Sequence, residues 1–178
     1  MNTFMNLFAI FVVFIQIQIS LSQSVQSPPE PNLIQQLCKR NRYQTLCIST
    51  LNDDPRSKTS NLKGLASISI DATTKKVNGT LQYYVGVLRT ITDRALFEMY
   101  GTCIEEYGAA IDRFLPAAVA NLKAKKYSET MSNMKVVVAK PVNCDAQFPT
   151  TDSPVAARNK VVHDIADMTG DIIKTFVN

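Results

Sequence analysis

The residues of this chain that could do acid–base chemistry are few and poorly grouped. His163 is the only histidine, and Asp164 and Asp167 follow it on one predicted helix. Residues four positions apart share a helix face, so Asp167 could hydrogen-bond the imidazole and orient it as a general base. A nucleophile is missing from this group, because the sequence has no GxSxG motif. We therefore interpret His163 as a solvated or capping residue.

The paired carboxylates also favour structural explanations. Glu105 and Glu106 are adjacent on a predicted helix, where successive side chains point in different directions, so they do not form the facing acid and base of a glycosidase. Asp53 and Asp54 lie in a predicted turn, where such side chains hydrogen-bond to the backbone. The sequence has no phosphate-binding loop, dinucleotide fingerprint or HExxH motif. We predict no enzymatic activity and no cofactor.

The first residues predict export from the cell. Leu7–Ile15 is an unbroken apolar run, shorter than the ~20 residues that a membrane-spanning helix needs. Ser20-Leu21-Ser22 fits a small-x-small cleavage site, so we interpret residues 1–22 as a signal peptide rather than a membrane anchor or a buried strand. Residues 23–31 are Pro-rich and predict a flexible arm. The net charge of +4 suits an acidic partner but not a nucleic-acid interface, and no membrane contact is expected after cleavage.

Export changes how the four cysteines are interpreted. Cys38 and Cys47 are too far apart for a CxxC redox motif, and the single histidine argues against zinc, so no metal site is predicted. An even number of cysteines in a small exported chain predicts two disulfides. Three connectivities are open to four cysteines. The spacing favours Cys38–Cys47, which leaves Cys103 to pair with Cys144.

Apolar residues recur at helical spacing through the rest of the chain. A short helical hairpin is predicted over residues 32–52, with its turn at Asn41. Four longer helices follow: one over Leu62–Ile91, one from Asp93 that restarts at Pro116, one from Tyr127 that ends before Pro141, and one that opens at Ser153-Pro154. The sequence therefore predicts an all-α fold in a single domain, 32–178, in which an antiparallel four-helix bundle (60–178) follows a disulfide-stapled hairpin (32–52).

Three surface features have no structural role in this scheme. In LKAKKY, Lys123, Lys125 and Lys126 cluster beside Tyr127, which suits either a protein interface or lysines that satisfy the carbonyls of a helix end. The hairpin turn is basic, and we interpret it as a solvated turn. Asn78-Gly79-Thr80 is the only N-glycosylation sequon, so Asn78 is a predicted glycosylation site.

Several of these stretches resemble the plant invertase/pectin methylesterase inhibitor family. They are Cys38…Tyr43…Cys47, LNDDPRSKTSNLKGLA, Cys103-x3-Tyr107, LKAKKY, PVNCDAQF and SPVAARNK, which together extend from about Leu33 to Phe176. The resemblance implies a four-helix bundle with an N-terminal hairpin, and disulfides Cys38–Cys47 and Cys103–Cys144. It also implies stoichiometric, non-covalent inhibition of a cell-wall or vacuolar carbohydrate enzyme, by docking on the substrate cleft of that enzyme.

The resemblance also suggests a target and a contact. Invertase inhibitors of this family have a Pro-Lys-Phe motif between the second and third bundle helices, which enters the invertase active site. The matching positions here are Lys125, Lys126 and Tyr127, with lysine in place of proline. We favour invertase as the target, with these residues and Lys123 as the contact. The alternative is a pectin methylesterase, bound through a broader polar face of the bundle.

The expected partner is thus one target enzyme in a 1:1 complex with a monomeric inhibitor. We expect secretion to the apoplast in preference to the vacuole. A function of a different class is a non-inhibitory extracellular binding or defence protein. That function would need an enclosed cavity of ~300 Å3 or more on which polar groups converge.

Overall fold

The computed structural model describes residues 32–149 and 153–177. The predicted signal peptide (1–22) and flexible arm (23–31) lie outside the described residues. The helices are α1 (Leu33–Cys38), α2 (Gln44–Asn52), α3 (Leu62–Leu88), α4 (Arg94–Ala109), α5 (Leu115–Lys123), α6 (Tyr127–Asp145) and α7 (Ala156–Lys174). A 3-10 helix, Pro55–Thr59, precedes α3, and a π-helical turn, Ala110–Phe114, joins α4 to α5.

Four helical segments pack in a ring around one core. α3 contacts α4 and α7, α6 contacts α7, and α4 and α5 both contact α6. The helices α4 and α5 together form the second segment of the bundle. Large side chains from every segment are fully buried, among them Leu65, Ile70 and Tyr84 of α3, Tyr107 of α4, Leu115 of α5, Met134 of α6 and Met168 and Ile172 of α7. The prediction of an all-α four-helix bundle preceded by a hairpin is confirmed.

The joint between α4 and α5 follows from Pro116. Proline has no N–H group, so a helix that runs through it loses one backbone hydrogen bond. Here the N–H of Leu115 reaches back five residues to the carbonyl of Ala110, and α5 then begins with the proline in its first turn. The predicted restart at Pro116 is therefore a widened turn rather than a sharp kink.

Three predicted helix ends are wrong. The first bundle helix ends at Leu88 and not at Ile91. The third bundle helix does not stop before Pro141 but continues to Asp145, with the buried proline inside it. A proline inside a helix costs about 3 kcal/mol, and the Cys103–Cys144 disulfide and a Lys140–Glu106 ion pair fasten this part of α6 to α4. The last helix begins at Ala156, not at Ser153-Pro154, because those residues form a turn before it.

Both disulfides join the predicted partners. Cys38–Cys47 ties α1 to the middle of α2, and Cys103–Cys144 ties α4 to the end of α6. All four cysteines have 0% exposure, so the two bonds are part of the core. The first bond closes a short loop, which stabilises the hairpin by about 2–3 kcal/mol through the entropy of the unfolded chain.

The hairpin is fastened to α7 by polar contacts at its turn. The buried Asn41 side chain donates to the carbonyl of Met168 at 2.9 Å. The Arg42 guanidinium lies across two carboxylates, 2.8 Å from Asp167 and 2.8 Å from Asp171. The Tyr43 hydroxyl donates to Asp167 at 3.1 Å. The basic turn that we interpreted as solvated is therefore also a docking contact between hairpin and bundle.

Candidate functional site

The residues that suggested acid–base chemistry do not form a catalytic group. The Nδ1 atom of His163 lies 3.2 Å from Asp164, which also accepts a hydrogen bond from Lys160. Burial raises the pKa of Asp164, but the hydrogen bonds from Lys160 and His163 outweigh it, so the pKa is lowered. Asp167 is instead bound by Arg42 and Tyr43. The His163–Asp167 pair considered from the sequence is not formed.

The adjacent glutamates are likewise separated by structure. Glu106 accepts hydrogen bonds from Lys140 at 2.8 Å and from Asn143 at 3.2 Å, so it bridges α4 and α6. Burial raises the pKa of Glu106, but these hydrogen bonds outweigh it and the pKa is lowered. Glu105 is exposed and faces away. Within residues 32–149 and 153–177, no cluster of three or more His, Cys, Asp or Glu side chains could hold a metal ion.

The basic segment Lys123–Tyr127 forms a tight, exposed turn between α5 and α6. The N–H of Lys125 donates to the carbonyl of Leu122 at 3.1 Å, and the N–H of Lys126 donates to that of Asn121 at 2.9 Å. This is the hydrogen-bond pattern of a Schellman motif, with Lys125 in the left-handed conformation at φ 59°. The turn therefore has a defined backbone, although proline is absent from it.

The side chains of this turn divide into two groups. Lys123, Lys125 and Lys126 are exposed, and none of them has an ion-pair partner in the part of the chain that the structure describes. Tyr127 is half-buried and stacks on Phe176, with 5.0 Å between ring centroids and 23° between planes. The turn thus presents three lysines to a partner, whereas its tyrosine also fastens the start of α6 to the end of α7.

A groove lies beside the hairpin turn, on the α6 and α7 side of the bundle. It has a volume of about 380 Å3 and lies between α6 and α7, and we call it the α6–α7 groove. Its lining residues are Arg42, Met131, Lys135, Val138, Asp167, Gly170, Asp171, Lys174 and Val177. Met131 follows Tyr127 by one helical turn, and Arg42 belongs to the hairpin. The wall of the groove therefore begins one helical turn after the lysine turn and includes one residue of the hairpin.

The charges in the α6–α7 groove are only partly balanced. Burial raises the pKa of Asp171, but the hydrogen bonds that Arg42 donates outweigh it, so the pKa is lowered and the carboxylate stays charged. The same contacts raise the pKa of Arg42. Lys135 and Lys174 have no ion-pair partner among the described residues, so they add positive charge to that of the turn.

Sequence reasoning missed Lys135 and Lys174. Lys135 follows Met131 by four residues, so the shared face of α6 could have been found from helical spacing. The sequence could not show that α7 forms the other wall of the groove, because the pairing of helix faces depends on tertiary packing.

The predicted glycosylation site lies elsewhere. Asn78 is exposed on α3, whereas Thr80 of the same sequon is only 4% exposed. None of the described helices combines the length and apolarity required to cross a membrane.

Comparisons with known proteins agree with this architecture. The model of the family described as plant invertase/pectin methylesterase inhibitor matches residues 32–172. The chain is 35% identical over 107 residues to "Pectinesterase inhibitor" of Actinidia deliciosa, a match that covers 60% of this chain and 58% of that protein. It is 32% identical over 105 residues to "Cell wall / vacuolar inhibitor of fructosidase 2" of Arabidopsis thaliana, with 58% of each chain covered. The matched region thus spans 58% of the length of both curated relatives.

A solved structure shows the same fold. The crystal structure of mutant form A of a pectin methylesterase inhibitor from Arabidopsis superimposes with a TM-score of 0.67 at 19% identity, over 81% of this chain and 97% of that one. The matched family is one of inhibitors and not of enzymes, and its match extends over both the hairpin and the bundle. The chain therefore belongs to the plant invertase/pectin methylesterase inhibitor family.

Proposed function

We propose that this protein is a secreted inhibitor that blocks the substrate cleft of a cell-wall carbohydrate enzyme, and that the favoured target is an invertase. The inhibitor binds non-covalently in a 1:1 complex, as a monomer, and none of its residues does chemistry. The family match supports an inhibitory role. The favoured location is the apoplast, and the name of the Arabidopsis relative includes both the cell wall and the vacuole.

The observation that supports this proposal most directly is the exposed turn between α5 and α6. Lys125 and Lys126 project from a turn whose backbone is held by two hydrogen bonds. A preorganised loop loses little conformational entropy when it enters a cleft, which favours binding. Three lysines of one turn also suit the acidic residues expected in the cleft of a glycoside hydrolase.

A second target is supported by different observations. The Actinidia relative is named a pectinesterase inhibitor, and the solved structure is of a pectin methylesterase inhibitor. A pectin methylesterase would be contacted through a broader polar face. The α6–α7 groove, whose wall begins one helical turn after Tyr127 and includes Lys135 and Lys174, would form part of such a face.

Titration of the oxidised protein into a cell-wall invertase and into a pectin methylesterase tests both targets. Residual activity should fall linearly with added inhibitor and reach its minimum near one equivalent in one of the two assays. Loss of activity only in the methylesterase assay would overturn the favoured target. If neither enzyme is inhibited, the inhibitor proposal fails and a non-inhibitory binding protein becomes the better hypothesis.

The contact residues are tested with a Lys126→Ala/Tyr127→Ala variant. We expect it to lose inhibition of invertase while its helical circular dichroism is retained. Lys58→Ala removes one exposed lysine from another part of the surface and serves as the charge control. Phe176→Ala removes the stacking partner of Tyr127 and leaves the turn sequence intact, so it controls for lost packing.

Comparison of the wild-type protein with these three variants distinguishes a direct contact with the target from a loss of packing within the inhibitor. If the turn touches the target, only the double variant loses inhibition. Full inhibition by a folded double variant would refute the assignment. Equal loss in the Phe176→Ala variant would mean that Tyr127 acts through the packing of α6 on α7 and not through the target.

A further inference from the structure

A second open groove lies on a different face of the molecule. It has a volume of about 760 Å3 and runs between α2, α3 and α7, and we call it the α3–α7 groove. It shares no lining residue with the α6–α7 groove. Gly79 lies in its wall, and a Cβ atom added there would meet no heavy atom within 4 Å. The groove is therefore open to a ligand along the middle of α3.

Three cations of this groove are unpaired. Lys75 and Lys76 lie on α3, and Arg158 lies opposite on α7. No ion pair joins any of the three to a carboxylate in the described part of the chain. They are therefore available to a negatively charged ligand.

Most of the acidic residues of the groove are already neutralised from outside it. Asp54 is bound by Arg56 at 2.7 Å, and the hydrogen bonds from Arg56 lower the pKa of Asp54 to about 2. Asp164 is bound by Lys160, on the outer side of α7. Only Asp53 lacks such a partner within the described residues. The α3–α7 groove consequently has an excess of positive charge, although formal acids and bases are equal in number along its lining.

Arg158 is oriented by an aromatic ring. Its guanidinium carbon lies 3.5 Å from the centroid of Tyr83, so the flat face of the guanidinium rests on the ring. This arrangement leaves the N–H edge free for the bidentate hydrogen bonds that carboxylates accept. Val161 in the wall of the groove is 48% exposed, so apolar surface lies beside the cations.

We infer that the α3–α7 groove binds a linear oligosaccharide of uronic acids. Such a ligand has one carboxylate per ring for the cations, and apolar ring faces that can pack on Val161. Hydroxyl groups of the sugar find partners in the Ser49 and Thr50 side chains on the α2 side. The volume falls within the roughly 300–1,000 Å3 of small-molecule sites. An acidic peptide would satisfy the cations but not the open shape, which has no deep apolar pocket for an anchoring side chain.

This binding site is independent of the proposed inhibition. It uses α2, α3 and the first half of α7, whereas the turn at Lys123–Tyr127 lies beyond the C-terminal half of α7. A chain with both surfaces would be retained on an acidic polysaccharide while its turn remains free to engage an enzyme.

Binding is tested by calorimetric titration with a tetramer of α-1,4-linked galacturonate at low ionic strength. The fully methyl-esterified tetramer, which has the same rings without charge, is the ligand control. We expect a Lys76→Gln/Arg158→Gln variant to bind at least about tenfold more weakly, because it loses two charge-assisted contacts with the carboxylates of the saccharide. Lys39→Gln/Arg89→Gln, at exposed sites outside the groove, removes the same two charge types and should change the affinity less than about twofold.

A third variant blocks the groove without a change in charge. Gly79→Leu places a side chain into the open space, and leucine is a better helix former than glycine, so the variant should fold and should not bind. Equal weakening by both double variants would mean that net charge alone attracts the saccharide. The peptide hexa-aspartate serves as the acidic-peptide alternative. The inference would be overturned if the esterified tetramer bound as tightly as the charged tetramer, if hexa-aspartate bound more tightly than the charged tetramer, or if the charged tetramer did not bind.

Discussion

A single buried polar network joins all four segments of the bundle, and its centre is Asn159 of α7. The hydroxyls of Tyr84 on α3 and Tyr107 on α4 donate to the Asn159 side-chain oxygen at 2.6 and 2.7 Å. The Asn159 amide donates to Asp145 at the end of α6 at 2.7 Å. Tyr84, Tyr107 and Asn159 have 0% exposure. We predict that Asn159→Ala destabilises the protein, because it removes the centre of this network.

The magnitude follows from the groups left behind. Asn159→Ala removes the acceptor of two buried hydroxyls, and a buried unsatisfied polar group costs about 1–3 kcal/mol. The two tyrosines can partly satisfy each other, because their rings meet edge to face at 5.4 Å. We therefore expect a loss of about 3 kcal/mol in the free energy of unfolding. For a domain of this size that corresponds to a fall of roughly 6–12 °C in Tm.

The assay is urea and thermal unfolding of the oxidised protein, followed by circular dichroism at neutral pH. The control is a Tyr84→Phe/Tyr107→Phe/Asn159→Leu variant, which removes both donors together with their acceptor. It should recover most of the stability lost by Asn159→Ala, since no buried hydroxyl is left unpaired and the Asp145 carboxylate, which also loses its donor, is only half-buried. A loss below about 1 kcal/mol for Asn159→Ala would refute the reasoning. A control no more stable than the single variant would show that the unpaired hydroxyls do not cause the loss.

Two other predictions concern the basic end of the bundle. Lys125→Gly should raise the free energy of unfolding by about 1 kcal/mol in urea titrations, because glycine adopts the left-handed conformation without the penalty of a side chain, whereas Lys125→Ala should give no such gain. Arg42→Ala should cost about 1 kcal/mol at pH 7, after allowance for the exposed guanidinium, and progressively less below about pH 4. The sign follows because Arg42 lowers the pKa of Asp171 in the folded protein. The stabilisation is therefore present above the pKa of an unfolded aspartate and is lost as the pH falls through the pKa of folded Asp171. The measurement is urea unfolding between pH 7 and 2.5, and a penalty that does not change with pH would contradict the prediction.

The sequence was sufficient for the helices and the disulfides because both depend on spacing. Apolar residues at three- and four-residue steps define one face of each helix wherever it packs. The exact first and last residues of the helices were harder to predict from the sequence. The α3 helix ends at Leu88 rather than Ile91, and Asp93 caps α4 as expected by accepting from the N–H of Leu96.

Pro141 shows where local rules fail. Proline is the strongest local stop signal for a helix, and the sequence offered no reason to ignore it. The structure keeps it inside α6 because Cys144, one turn later, is bonded to Cys103, and because Lys140 is paired with Glu106. These contacts link residues far apart in the chain, so they could not be read from the segment around the proline.

The candidate surfaces show the same division. The sequence identified the lysines of the turn, because three of them cluster within a few residues beside an aromatic side chain. It could not identify Lys135 and Lys174 as parts of one groove, or Lys76 and Arg158 as parts of another. It also assigned Tyr127 only to a partner, whereas the ring stacks on Phe176 within the chain itself.

By itself, the sequence predicted an all-helical, disulfide-linked domain, since periodicity and cysteine spacing are properties of neighbours along the chain. The inhibitor family came from the resemblance of its motifs. Only the tertiary structure decided which cations remain free. Arg42, Arg56 and Lys160 are neutralised by carboxylates, whereas the lysines of the turn and of the two grooves are not paired with any described residue. The reason is physical: Coulomb energy depends on distance in space, and packing of helix faces sets that distance.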